Sequence, residues 1–309
     1  MCKPLRRILF GLLACCAAPA CVVAQQAAGP PSLPAEFQLN AIEQSYLEQV
    51  LSSWQTESAK VTIFQCPFER WEYNQAFGPG KDIPLNKNKG DLGYNKPDKG
   101  SFQITEIRTW QAKPVPPGTA PPAQAAGDWV VQPNAIGEHW VCDGENVYEY
   151  RHDQKKLIVR PIPPAMRGQA IVDGPLPFLF GAEAAKLKAR YWLRAEQLPN
   201  SSDILIQALP RFPADAADYR QVDVMLDRGR MMPKAMQVHL PNGDRHAYMF
   251  DVANATVNGH LQRIMALFQA PRTPWGWQKV VDELPTEPPQ QQPAPVEGRQ
   301  ALQPDSTPR

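Results

Sequence analysis

The chain has 309 residues, 34 of them proline, with 32 basic residues against 31 acidic ones. A near-neutral balance argues against nucleic acid and against a polybasic membrane-surface mode. So many prolines leave little room for long helices and suit short strands joined by turns.

The first residues read as an export signal. Lys3, Arg6 and Arg7 form a positive n-region, Ile8 to Val23 are apolar or small, and Val22-Val23-Ala24 is a small-residue cleavage site before Gln25. About 16 apolar residues fall short of the ~20 that a spanning helix needs. Leu12-Leu13-Ala14-Cys15 also has the form of a lipobox, with Cys15 as the acylated residue and a membrane-anchored protein as the consequence. Removing residues 1–24 takes the basic count from 32 to 29 against 31 acidic residues. It also removes Cys2, Cys15, Cys16 and Cys21, so that Cys66 and Cys142 remain. In an oxidising compartment these two either pair or stay as buried thiols on separate strands.

Residues 25–35 form a linker. Residues 36–284 suit one β-rich domain, and the Pro/Gln/Glu-rich tail 285–309 lacks the apolar residues to fold. Ala35 to Thr56 is the one convincing helix, with Leu47, Val50, Leu51 and Trp54 at helical spacing. Ser58 to Tyr73 reads as one or two strands, with Phe64, Cys66 and Phe68 on one face and Pro67 disturbing the ladder. Gly78 to Asn88 reads as a polar loop. Leu92 and Tyr94 point one way before Lys96-Pro97 turns the chain into Phe102 and Ile104. Lys113 to Gly127 reads as a long exposed loop.

Trp140 to Val159 reads as a meander of three short strands. Asp143-Gly144 marks the first hairpin turn, because Gly accepts positive φ there. Tyr148 and Tyr150 share one face, and Val147, Glu149 and Arg151 the other. Gly174 to Gly181, with Phe178 and Phe180, is an apolar run closed by Gly and Pro at both ends and reads as a flap. Glu183 to Arg190 is a short helix candidate, followed by strands at Tyr191–Leu198 and Ile204–Leu209. Val222, Val224 and Leu226 then alternate with polar residues, as do Met236, Val238 and Leu240. Asn242-Gly243 turns the chain into a return strand with Tyr248 and Phe250. Such one-sided alternation in successive hairpins means an antiparallel sheet with one apolar and one wet face.

Chemistry-bearing motifs are sparse. His139, His152, His239, His246 and His260 are scattered, and none forms a helical i,i+4 metal pair. No Gly-x-Ser-x-Gly, phosphate loop or Cys-x-x-Cys occurs. Asp143 and Asp153 flank turns and are explained as turn formers. The residues call for no cofactor, no metal and no catalytic role.

The succession of motifs resembles the periplasmic lipoprotein carriers of the LolA and LolB type. Gly90-x-Leu92-x-Tyr94-x-Lys96-Pro97 followed by Phe102 is similar to one family pattern. Asp143-Gly144 followed by Tyr148, Tyr150 and the strand Lys155–Val159 is similar to a second, and Lys234 to Phe250 around Asn242-Gly243 to a third. The Gly174–Gly181 run with Lys188-Ala189-Arg190-Tyr191 also resembles a group of exported planctomycete proteins. Three departures stand out: Lys96 replaces an arginine and lacks its planar fork, the loops at 78–88 and 113–127 are long, and the Pro-rich tail is extra.

The resemblance implies a mainly antiparallel β fold with a few helices, an unclosed half-barrel covered by the N-terminal helix and a lid. It implies an exported, non-catalytic monomer, periplasmic or in the cell envelope, that holds a lipid or acylated lipoprotein as a carrier or sensor, with a membrane-associated protein as a further partner. The expected cavity residues are Trp54, Phe64, Lys96, Phe102, Tyr148, Tyr150, Val224, Val238 and Phe250, with Phe178 and Phe180 on the flap. A one-residue register slip would invert any one of these strands. The competing reading is a structural or protein-interaction module on the same scaffold, with the cavity filled by side chains.

Overall fold

The computed structural model describes residues 33–114, 126–164, 167–168, 178, 183–259 and 266–282. The expected signal, the tail, Phe180 and most of the 174–181 run lie outside the described residues.

Fourteen described strands join one sheet that does not close into a barrel. In chain order they are β1 (Ile63–Tyr73), β2 (Asn86–Asn95), β3 (Lys99–Ala112), β4 (Gly127–Val131), β5 (His139–Cys142), β6 (Asn146–Arg151) and β7 (Lys156–Pro161), then β8 (Tyr191–Gln197), β9 (Ile204–Pro210), β10 (Gln221–Asp227), β11 (Met232–His239), β12 (Arg245–Phe250), β13 (Thr256–Val257) and β14 (Gln278–Val281). Across the sheet the order is β14-β7-β6-β5-β3-β2-β1-β12-β11-β10-β9-β8, with β13 on β1 and β4 on β3. Every pairing is antiparallel except β14 on β7. The architecture is the expected open half-barrel with helices.

The helices are α1 (Ala41–Ala59), α2 (Ala184–Arg190) and α3 (Pro213–Asp218). The first starts six residues later than the sequence pattern suggests, because Asn40 caps it. The Asn40 side chain accepts from the backbone N–H of Ile42 and Glu43, and the Glu43 carboxylate accepts from the Asn40 N–H at 2.9 Å. This reciprocal capping satisfies free donors of the first turn. Ala35–Phe37 is a separate 3-10 turn. The stripe Leu47, Val50, Leu51 and Trp54 is buried against the sheet. Burying each of the three aliphatic members contributes about 1.5–3 kcal/mol.

One sequence expectation is narrowed and one is corrected. Residues 58–73 give one continuous strand from Ile63, and Pro67 is accommodated inside it, its carbonyl accepting from the Asp251 N–H. Residues 86–88 are not loop but the start of β2. Their Asn-Lys-Asn pattern has no apolar alternation, yet β1 and β3 on either side provide the ladder.

The core lies on one face of the sheet. Phe64, Cys66, Phe68, Leu92, Phe102, Ile206, Val222, Val224, Met236 and Phe250 form it with α1, Leu187 of α2 and the ring of Phe178. The opposite face carries a smaller cluster of Val141, Tyr148, Leu157 and Val159, and a pair formed by Ile63 and Phe268. Phe268 belongs to a 3-10 turn, Ala266–Phe268, just before β14.

Candidate binding site

The expected cavity residues fall into three groups. Trp54, Phe64, Phe102, Phe178, Val224, Val238 and Phe250 meet in the one core, none more than 8% exposed. Tyr148 and Tyr150 do not join them. Phe102 pairs with Trp140 across β3 and β5, whereas Tyr148 pairs with Val141, one residue out of phase. The alternation of a strand therefore puts both tyrosines on the opposite face. Lys96 is exposed at the β2–β3 turn.

Much of the apolar face is packed solid: Trp54, Phe178, Ile206, Val222, Val224 and Leu226 have no exposed surface. Phe178 sits against Tyr191, with centroids 4.9 Å apart. The Tyr191 and Tyr219 hydroxyls are hydrogen-bonded to each other at 2.5 Å, and burial raises the Tyr219 pKa.

Space opens beside this core. A cleft of about 410 Å³ runs between α1 and the ends of β9–β11. Val50, Ile204 and Met231 form its apolar side, and Gln49, Ser53, Thr56, Glu57 and Arg228 its polar rim. Tyr46 also lines it, and Tyr46, Val50 and Trp54 follow one another at i,i+4 spacing, so they share a helix face. Two polar atoms of this stripe, Tyr46 Oη and Trp54 Nε1, are buried without a hydrogen-bond partner among the described residues. Leaving such a group unpaired costs about 1–3 kcal/mol. Sequence reasoning reached Trp54 through its helical spacing but missed Tyr46 and Arg228, because Arg228 comes from a β10–β11 turn whose approach to α1 no local pattern encodes.

A ring row extends from the core across the sheet. Trp140 stacks on Phe102 at 5.7 Å, Phe102 on Phe68 at 4.9 Å, and Tyr248 follows at 6.1 Å from Phe68. An ionic cluster around the largely buried Arg70, with Glu138 on its exposed side, closes this end. Arg70 holds Glu72 and Glu138, both at 2.7 Å, while Asn86 and Asn88 donate to Glu72. Burial works to lower the Arg70 pKa, but Tyr248, Glu72 and Glu138 outweigh it and leave it raised, and burial lowers that of His246 beside them. Removing one partner of such a cluster would strand a buried charge.

On the opposite face, a groove of about 320 Å³ runs between the sheet and residues 266–271. Gly93 makes it possible. A Cβ there would lie 2.4 Å from Ser101 Oγ and 3.2 Å from the Phe268 ring, so only glycine lets Phe268 seat on the sheet. At one end of the groove His139 stacks on Tyr150 at 4.0 Å, and His152 and Trp277 continue the cluster. Burial, reinforced by His152, pulls the His139 pKa down to about 4.

Cys66 and Cys142 are both free and buried. They sit on β1 and β5 with β2 and β3 between them. Three strand spacings make about 14 Å, beyond the reach of a disulfide. Among the described residues, no group of three or more His, Cys, Asp or Glu could hold a metal, and no helix is long and apolar enough to cross a membrane.

No protein-family model matches this chain, and no curated protein matches it. Solved structures do. An uncharacterized conserved protein from Thermus thermophilus aligns with 76% of this chain and 99% of its own at 9% identity and a TM-score of 0.39. A LolA superfamily protein from Nitrosomonas europaea aligns with 72% of this chain and 97% of its own, at 9% identity and a TM-score of 0.33. A chain of the Pseudomonas aeruginosa MucA/MucB complex aligns with 72% of this chain and 61% of its own, at 13% identity and a TM-score of 0.33.

Proposed function

We propose that the protein is an exported, non-catalytic binding protein of the cell envelope. It holds the acyl chain of a lipid or an acylated lipoprotein in the cleft beneath α1, as a monomeric carrier or sensor. The observation that carries this reading is the pair of unpaired buried atoms, Tyr46 Oη and Trp54 Nε1, on the one stripe that leads from a 410 Å³ cleft into the apolar core. The volume lies within the ~300–1,000 Å³ of ligand sites, and Val50, Ile204 and Met231 give an otherwise polar lining one apolar wall. An ester or amide carbonyl entering along Val50, Ile204 and Met231 would accept from Trp54 Nε1. The Arg228 guanidinium on the rim, now donating to Gln197 at 2.9 Å, suits an anionic head group. Phe178 is buried in the core, and a longer acyl chain would displace it.

A second reading has its own support. Ile206, Val222, Val224 and Leu226 leave no room on β9 and β10, as expected of an interaction module whose interior is only core. Mass spectrometry of lipids extracted from natively purified protein separates the two. The carrier reading expects an acyl lipid near one per chain. Lipid-free protein that also fails to take up a fluorescent fatty acid would leave the module.

A further inference from the structure

We propose that the groove on the opposite face of the sheet, between the strands and residues 266–271, is a binding site for a neutral saccharide. The proposal is independent of the lipid reading, since the two sites lie on opposite faces.

The groove floor is a polar array on rigid strands. Asp91, Gln103 and His139 stand in register across β2, β3 and β5, and Gln65 and Ser101 flank Gly93 in the next row. All of these line the groove, and the side chains of Gln65, Asp91, Ser101 and Gln103 make no hydrogen bond with the described residues. Amides and a hydroxyl both donate and accept, and a carboxylate accepts. Such a set matches an array of sugar hydroxyls, each of which also does both.

The wall supplies the other half of the recognition. The stacked rings of Tyr150 and His139 offer an aromatic surface, whose negative π-face attracts the polarised C–H bonds of a sugar ring. Leu267 and Pro271 form the facing wall, which Phe268 anchors through the notch at Gly93.

Other ligand classes fit less well. The polar floor offers no continuous apolar track for an acyl chain. Among the described residues the groove is lined by no lysine or arginine, and the one carboxylate there, Asp91, repels anions such as phosphates. A peptide could not add as a strand, because β1, β2, β3, β5 and β6 are all interior strands whose backbone groups are already paired. The volume of about 320 Å³ lies at the small end of ligand sites, which suits one or two rings.

The test is titration of the purified full-length protein with maltose, cellobiose and di-N-acetylchitobiose, followed by ligand-observed NMR and calorimetry. At least one is expected to bind with a Kd of about 1 mM or tighter. Tyr150→Ala and Gln103→Ala should each weaken binding about tenfold or more, equivalent to about 1.4 kcal/mol. Phe77→Ala, at a position 84% exposed on the β1–β2 connection, should change nothing. Should Tyr150→Ala fail to fold, Gln103→Ala and Ser101→Ala decide alone, since both act on the groove floor. No binding by any of the three sugars, or binding that survives the floor substitutions, overturns the proposal.

Discussion

Phe178 packs its ring against Tyr191 at 4.9 Å and 56°, and both rings are buried. Phe178 thus belongs to the core on the α1 side of the sheet. Phe178→Ala should destabilise the protein by about 3–5 kcal/mol, as emptying a buried aromatic site does. In a carrier the same substitution should also raise uptake of a fluorescent fatty acid, because the vacated volume becomes available. Chemical denaturation and fluorescence titration of one variant read both effects. Loss of stability with no change in uptake would make Phe178 ordinary core.

Trp54→Phe removes a donor that has no partner among the described residues. The variant should lose little stability, because the missing ring volume is offset by the removal of an unsatisfied N–H worth about 1–3 kcal/mol. Its affinity for an acyl ester should fall further than its stability. Parallel titrations of wild type and variant check this, and equal affinity would place the indole N–H outside the ligand's reach.

His139 makes stability depend on pH. Burial holds its folded-state pKa at about 4, below the usual 6.5. The unfolded chain therefore binds more protons between these values, and stability falls as pH drops through that window. The contribution is fully present above 6.5. The informative quantity is the difference between wild type and a variant that lacks the imidazole. Denaturation midpoints of wild type minus His139→Gln should decline from pH 6.5 to 4. A flat difference would remove His139 as a source of the dependence.

The thiols offer a test of register and of export together. Burial pushes Cys66 up to about 12 and Cys142 to about 11, far from the range of a reactive thiolate. Both should resist a thiol reagent in the native protein. After denaturation without reductant, a chain processed near Gln25 should show two free thiols. None would mean a disulfide and a different strand order.

Period-two patterns were legible where one face is apolar and the other polar. Val222, Val224 and Leu226 share a face as expected, and Asp143-Gly144 and Asn242-Gly243 turn the chain, with φ of +93° and +90° at the two glycines. The pairing of Tyr148 with Tyr150 on one face was legible for the same reason. Which face was not, because β5 to β7 bury a cluster on the side away from α1, and local alternation carries no such sign. The covering layer itself was hidden. Phe268 ends the short apolar run Ala266-Leu267-Phe268, whose sequence carries no sign of the strands it covers, and β14 pairs in parallel with the distant β7. The cleft was invisible too, since its walls come from α1, β9 and the β10–β11 turn.

The most direct measurement is fluorescent fatty-acid binding by wild type and Ser53→Trp. Ser53 is exposed on α1 and lines the cleft, so a bulky ring there fills the cleft without disturbing the core. Wild type should show saturable uptake, and the variant a tenfold or greater loss, about 1.4 kcal/mol, with an unchanged melting temperature. No uptake by wild type, or equal uptake by both proteins, would contradict the carrier reading.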